Sequence, residues 1–297
     1  MGTRRTIVHI LVLCLLLSVT AWTSLASEAS SEAKRIVVEF AAGKGIQPGT
    51  DQYVIFLKDI LWGVYPELEQ HPKRELIRTY AASNLNKEAA SLAEGSEASR
   101  PKSPREAEPV GWTYNRQAAV DYAYTWAQNG GRKRNPSFPD FAGNDCTNFV
   151  SQAVQAGGVP MAGTGGCGSE SNNQEWYVKT SAWWCFTNKW AWSTGWSVVQ
   201  DFWFYHTQHK QHATSTEYTF DQIAQLRQAA QPGDILQLQN ASGGHKWHSM
   251  VVTKKENGEI YLTYHSGPND KDVVDKALGQ FARADYDYWL ISFVGGN

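Results

Sequence analysis

The chain has 297 residues, with 27 basic and 29 acidic side chains and a formal net charge of −2. This length allows a sizeable hydrophobic core and at most two domains. A nearly balanced charge argues against a nucleic-acid partner, because such a partner requires a strongly basic face.

The first residues have the pattern of a secretory signal peptide. Arg4 and Arg5 precede an apolar run from Ile7 to Trp22, and Ser24-Leu25-Ala26 carries small residues where signal peptidase cleaves. We predict cleavage near Ala26, which removes residues 1–26. A membrane anchor is the alternative, but the apolar run falls short of the roughly 20 residues of a span. The sequence thus predicts a secreted or cell-wall-associated protein with no stable membrane insertion.

Signal cleavage also changes the count of cysteines. Cys14 leaves with the signal, and Cys146, Cys167 and Cys185 remain. An odd number of cysteines in an oxidising compartment predicts one free thiol or an intermolecular bridge. Cys167 and Cys185 flank one loop-like segment and are the disulfide candidates, which leaves Cys146 free. None of the three shows the two-residue spacing of zinc-binding pairs, so no metal site is predicted.

Residues 27–86 predict a small, mainly helical region. Apolar side chains recur there at helical spacing in two runs: Tyr53, Phe56, Leu57, Ile60 and Leu61, then Leu76, Ile77 and Tyr80. The segment Ile36–Phe40 fits either a helix or a short strand. Residues 87–110 are rich in Ala, Ser, Glu, Lys and Pro, which is typical of a flexible linker. The sequence leaves open whether the upstream region is a pro-segment, a targeting module or a helical appendage.

Residues 111–297 predict a second domain. An apolar helical face runs from Ala118 to Trp126, and another helix follows at Cys146. The segment 161–197 is heavy in Gly and Trp and is predicted as a loop-like insertion, followed by helices near 197–206 and 221–228. Strands are predicted over 234–239, 249–254, 259–265 and 288–294. Helices that precede a run of antiparallel strands indicate the α+β class, with the sheet packed on the Cys146 helix.

The cysteine at the start of its helix is the strongest candidate for a nucleophile. Asn144 and Asp145 are residue types that cap helix starts, and we assign the helix cap to Asp145. Gly157-Gly158 is typical of a helix end. Cys146 therefore falls in the first turn, where unpaired N–H groups and the helix dipole favour a thiolate. The alternative is a buried structural cysteine, since free cysteines are often buried.

A thiolate nucleophile needs a base, and His245, His248 and His265 are the candidates. His248 begins one predicted strand, and His265 ends the next one. If Asn257-Gly258 is a two-residue turn, Glu256 pairs with Glu259 and His265 lies opposite Met250, one diagonal step from His248. Both imidazoles are then expected on one face at one end of the hairpin, as a Cys-His-polar triad requires.

Four separated motifs in this order resemble the putative amidase domain family of secreted bacterial proteins. They are the helix start Tyr114-Asn115-Arg116, the run from Asp145 to Gln152 with Gly157-Gly158 behind it, the segment from Pro232 to Ile235, and the segment from His248 to Val252. The resemblance spans about Tyr114 to Val294. That family is similar in layout to the papain-like cell-wall peptidases of the NlpC and CHAP type.

The resemblance implies a papain-like α+β domain that hydrolyses amide bonds. Cys146 matches the nucleophile, His248 the base and His265 the third polar position. Asn144, with Tyr114 behind it, is the candidate for a second oxyanion donor beside the Cys146 N–H. The implied substrate is cell-wall peptidoglycan or another peptide or amide, and no cofactor is implied. Two alternatives stay open: an inactive wall-binding or sporulation-related module, and a thioester acyltransferase that uses an amine as acceptor.

Three further groups of side chains have both a structural and a functional interpretation. The Trp residues crowded between 176 and 203 form either a loop core or a surface on which sugar rings stack. His206, His209 and His212 fit a solvated helix end better than a metal site. Asp270, Asp272 and Asp275 lack the glycine and final glutamate of a calcium loop, so we expect a solvated loop.

Overall fold

A computed structural model of the protein describes residues 28–94, 111–165, 168–181 and 189–294. The chain is a mixture of helices and an antiparallel sheet, which confirms the α+β class. The predicted signal peptide, the main part of the predicted linker, and both disulfide candidates, Cys167 and Cys185, lie outside the described residues. None of the described helices is both long and apolar enough to cross a membrane.

The N-terminal region is helical, as predicted. It contains α1 (residues 28–43), α2 (Asp51–Trp62), α3 (Pro66–Glu69) and α4 (Arg74–Glu94). Helix α1 covers the segment for which a strand was the alternative, and α4 extends into the segment predicted as a linker. The side chain of Thr50 caps α2 by accepting a hydrogen bond from the N–H of Tyr53, and Gly63 ends the helix at a φ of 73°.

The middle of the chain supplies two longer helices and a small sheet. These elements are α5 (Arg116–Trp126), α6 (Cys146–Ala156), β1 (Gly168–Glu170), β2 (Val178–Thr180), β3 (Trp190–Ser193), α7 (Thr194–Ser197), α8 (Val199–Trp203) and a π-helical segment (Phe204–His209). Strand β3 lies between β1 and β2, so the predicted loop-like insertion contains a three-stranded sheet. Trp176 and Trp196 are fully buried, which confirms the core interpretation for these two indoles.

A six-stranded antiparallel sheet forms the C-terminal half. The strands of this sheet are β4 (Ala213–Tyr218), β5 (Ile235–Asn240), β6 (His248–Glu256), β7 (Glu259–Tyr264), β8 (Val273–Ala277) and β9 (Tyr286–Phe293), and the helix α9 (Ile223–Ala229) lies between β4 and β5 in the chain. The strand order is β4-β9-β5-β6-β7-β8. Short 3₁₀ turns lie at Ala142–Asn144, Phe220–Gln222, Pro268–Asp270 and Leu278–Gln280. Strands β4 and β8 were absent from the sequence prediction, and both lie at the edges of the sheet.

Each face of the large sheet belongs to a different hydrophobic core. Leu236, Met250 and Val252 share one buried cluster with residues of α2 and α4. Ile235 and Val251 point the other way and share a second cluster with residues of α6. The sheet therefore lies between the N-terminal helices and the helix that carries Cys146, because successive side chains of a strand face opposite sides.

Candidate active site

Cys146 is the first residue of α6, as predicted, and carries a free thiol that is 1% exposed. The 3₁₀ turn at Ala142–Asn144 leads into the helix. The N–H of Asp145 donates a hydrogen bond of 2.9 Å to Ser266 Oγ, which ties this turn to the segment after β7. The thiol is thus held at a helix start, where unpaired backbone N–H groups favour negative charge.

Asp145 occupies the N-cap position of α6, as predicted, but its side chain makes no capping hydrogen bond to the helix. Its buried carboxylate instead accepts hydrogen bonds from His265 Nδ1 at 2.6 Å and Asn148 Nδ2 at 2.7 Å, and it pairs with Arg134 Nε at 2.9 Å. Burial raises the pKa of Asp145, but the hydrogen bond from His265 and the charges of His265 and Arg134 outweigh it and lower the pKa. Asp145 is the centre of a buried ionic network.

His265 belongs to this network and does not orient His248. Its Nδ1 faces Asp145, its Nε2 lies 2.6 Å from the carbonyl oxygen of Trp126, and its ring stacks on Phe149. A carbonyl and a carboxylate both accept hydrogen bonds, so each ring nitrogen faces an acceptor. The prediction of His265 as the third polar residue of a triad is corrected: it positions the aspartate beside the nucleophile.

A bulge in the hairpin explains this correction. Glu256 pairs with Glu259 as predicted, but the register shifts between Val252 and Lys254, so that Val251 pairs with Thr263. A shift of one residue transfers every later side chain to the other face of the sheet. His265 therefore lies on the α6 face, whereas the prediction placed it on the face of His248.

His248 begins β6, as predicted, and is fully buried in an aromatic environment. The rings of Trp62 and Tyr264 each lie 4.9 Å from the imidazole, in edge-on geometry. Neither ring nitrogen has a hydrogen-bond partner among the residues that the structure describes. Desolvation, with a contribution from the charge of Lys58, holds the pKa of His248 well below its usual value. The imidazole is therefore neutral in this structure.

Helix α2 supplies two residues of this site that sequence reasoning missed. Lys58 Nζ donates to Cys146 Sγ and to the carbonyl oxygen of Gly143, both at 3.4 Å, and the side chain is 2% exposed. Trp62, one helical turn further on, covers His248. One turn of helix advances about 5.4 Å, so the nucleophile and the base lie beneath successive turns of α2. The available signal was the pair Lys58-Asp59 inside the otherwise apolar stretch from Tyr53 to Trp62.

The two oxyanion candidates lie at opposite ends of α6. Asn144 is half-buried and immediately precedes the helix start, so its position is compatible with the predicted role. Tyr114 donates its hydroxyl to the carbonyl oxygen of Gly233 at 2.7 Å and packs against Gly157, just past the end of the helix. Since α6 has 11 residues, it is about 16 Å long, and Tyr114 cannot reach an oxyanion beside Cys146.

One histidine and one aspartate of the groups noted in the sequence, His206 and Asp272, are buried and packed or paired within the fold. His206 is buried against Trp176 and Phe202, and the carboxylate of Asp272 pairs with Arg134 at 2.7 Å. Asp272 is therefore buried, where a solvated loop was expected. Among the described residues, no three His, Cys, Asp or Glu side chains cluster as a metal site would require.

Comparison with known proteins relates this chain to one family. Residues 113–289 match the family described as the putative amidase domain. The chain is 30% identical over 175 residues to the uncharacterized protein YhbB of Bacillus subtilis (strain 168). This alignment covers 59% of the chain and 47% of YhbB, so the chain spans about half the length of that relative. No solved structure matches the chain significantly.

Proposed function

Because the chain belongs to the putative amidase domain family, we propose that it is a cysteine-dependent amidase or peptidase with a papain-like arrangement of its site. Cys146 is the nucleophile and His248 is the base. One observation carries this proposal: the free thiol at the start of α6 and the neutral imidazole at the start of β6 lie under adjacent turns of one helix.

The chemistry follows from these two groups. The Cys146 thiolate attacks an amide carbonyl, and the resulting oxyanion lies against the N–H groups at the start of α6, with Asn144 as a further donor. His248 takes the thiol proton and returns it to the leaving nitrogen, so that an amine departs and a thioester remains on sulfur. Water, deprotonated by the same imidazole, then releases the acid. Asp145 and His265 hold the loop before the nucleophile in place.

We further propose that the protein is secreted or wall-associated and acts on amide bonds of peptidoglycan or peptides. The pattern of residues 1–26 supports export. An exported hydrolase of this family would meet the cell wall as its nearest source of amide bonds.

An inactive module on the same scaffold is the second candidate. It is favoured by the absence of a polar partner for His248 within the described part of the chain, since a base is normally oriented by a third group. This candidate predicts binding to wall fragments without release of new amines.

The decisive experiment is mass spectrometry of wall fragments and peptides after incubation with the wild-type chain and with Cys146→Ala. We expect new amino termini with the wild type and none with the variant, while the circular dichroism spectra agree. Tyr114→Phe is the matched control, because its hydroxyl lies at the far end of α6. Equal product from wild type and Cys146→Ala would refute the proposed nucleophile. The masses of the released fragments also identify which bond is cleaved.

A further inference from the structure

The candidate site is closed in this structure. Cys146 is 1% exposed and His248 is fully buried, although an attacking sulfur must come within about 3–3.5 Å of a substrate carbonyl. The element that covers both residues is α2. An amide substrate therefore cannot enter until this helix has moved.

Three side chains on one side of α2 make the contacts with the site, and we call them the strap face: Ile55, Lys58 and Trp62. Their spacing of three and four residues places them in one row along the helix. Ile55 lies against Gly143, Lys58 against Cys146, and Trp62 against His248. The strap face thus touches the loop, the nucleophile and the base in turn.

The fit at the loop leaves no room for a side chain at Gly143 unless Ile55 shifts. A Cβ atom built on Gly143 would lie 2.0 Å from Cγ1 of Ile55. Beside it, Asp59 accepts a hydrogen bond of 2.9 Å from the N–H of Asn269. Glu69, which follows α2, pairs with Arg283 at 2.9 Å. The contacts of Ile55 and Asp59 hold α2 over the site, and the pair at Glu69 holds α3 behind it.

The polar groups under the strap face are poorly satisfied, in contrast to most buried polar groups in proteins. The ammonium of Lys58 has only a sulfur and a carbonyl as hydrogen-bond partners among the described residues, and its 3.4 Å contact with the carbonyl of Gly143 is longer than a normal N–H···O bond. Both nitrogens of His248 and Nε1 of Trp62 lack partners within the described residues. A substrate amide would offer donors and acceptors that the strap face does not, so it is the better polar match for this site.

We propose that α2 is an intramolecular inhibitor whose strap face occupies the substrate cleft, and that hydrolysis begins only when it withdraws. This inference rests on the proposed function, because a helix inhibits only a site that can react. Residues of α2 share one buried cluster with Leu85 of α4 and with Leu236 and Met250 of the sheet, so withdrawal must also break the packing of the helices on the sheet. Their displacement exposes the thiol and the imidazole together.

The test is the rate at which iodoacetamide alkylates Cys146 in the full chain, read by peptide mass spectrometry. Lys58→Glu places an unpaired carboxylate in the buried contact, and we expect it to raise the alkylation rate roughly 100-fold. Lys58→Met keeps the length and fills the same space, so alkylation should stay at or below the wild-type rate. Gln52→Glu introduces the same acid on the exposed side of α2 and should leave the rate unchanged.

A second measurement separates withdrawal of the helices from general unfolding. The alkylation rate of the wild-type chain is followed at increasing urea below the unfolding transition. Withdrawal exposes part of the surface, so its dependence on urea must be weaker than that of global unfolding. If the two dependences are equal, or if folded Lys58→Glu alkylates at the wild-type rate, α2 is not an inhibitor.

Hydrolysis then distinguishes this inference from the proposed function. Amine release by Lys58→Glu above that of the wild type supports both. Faster alkylation without any hydrolysis supports withdrawal of α2 and refutes the proposed amidase. If Lys58→Met loses the hydrolysis seen with the wild type and its alkylation is no faster, Lys58 takes part in the reaction itself. That result overturns the proposal that α2 is an inhibitor.

Discussion

Substitution of Gly143 by alanine tests how closely α2 is seated on the loop before Cys146. The added methyl group would lie 2.0 Å from Cγ1 and 2.9 Å from Cδ1 of Ile55, well inside van der Waals contact. Gly143 has no positive φ, so the backbone itself accepts alanine. We expect a loss of about 1–3 kcal/mol in the free energy of unfolding, as for other overpacked sites.

The assay is urea unfolding of the full chain, followed by circular dichroism. Gly43→Ala is the matched control, because a Cβ at Gly43 in α1 meets nothing within 4 Å. That variant should be unchanged or up to about 1 kcal/mol more stable, since alanine is the better helix former. Ile55→Ala should relieve the contact, so Gly143→Ala should cost less than about 0.5 kcal/mol in that background. An equal loss with and without Ile55 would refute the close contact between α2 and the loop.

Two further predictions concern buried carboxylates. Asp145→Asn removes the buried carboxylate that bonds His265 and one of the two close partners of Arg134, which keeps Asp272, and should cost about 3–5 kcal/mol in the free energy of unfolding at pH 7. Because the pKa of Asp145 is lowered, its stabilisation is present above the ordinary value of 3.8 and fades as the pH falls through the lowered pKa. The difference in the free energy of unfolding between wild type and variant should therefore shrink in acid. A difference that stays constant with pH would contradict the ionic role. Burial raises the pKa of Asp59 from 3.8 to about 6, so its stabilisation is present below 3.8 and is lost as the pH rises through 6. Asp59→Asn should remove this dependence on pH when urea unfolding midpoints are measured at a series of pH values. The free energy of unfolding of the variant should exceed that of the wild type by up to about 3 kcal/mol at pH 7. An unchanged dependence on pH would assign the effect to another group.

The elements that carry Cys146 and His248 were predictable because their signals are local. Helix α6 has apolar residues at helical spacing and a glycine pair at its end, and the hairpin has Asn257-Gly258 as its turn. Each signal lies within a few residues of the feature that it specifies. The class of the domain and the positions of both residues at the starts of their elements followed from these signals.

The position of His265 was not predictable, because the bulge depends on distant contacts. At the bulge, Thr253 Oγ1 bonds Thr263 Oγ1 at 2.9 Å and Asp275 Oδ1 at 2.7 Å. Asp275 lies in β8, an edge strand whose mixed polarity gave no strand signal. A prediction that misses β8 also misses the partner that sets the register of β7.

The roles of Asp145 and Lys58 were ambiguous for a related reason. An aspartate before a helix suits both a cap and an ion pair, and the choice depends on His265, which is 120 residues away in sequence. A lysine in a helix normally faces water. Residues 53–61 of α2 are buried or half-buried throughout, and Lys58 is bonded to the loop at Gly143, which no pattern within the helix indicates.

The long sequence separations within the site also set the order in which it is built. Lys58 is synthesised before Cys146, and the histidine that fixes Asp145 comes 120 residues after that aspartate. Contacts between distant residues close late in folding, and domains emerge from the ribosome N-terminus first. The residues of the helix that covers the thiol are therefore synthesised before the nucleophile's loop, so a nascent chain carries the residues of its cover before it carries an organised thiol.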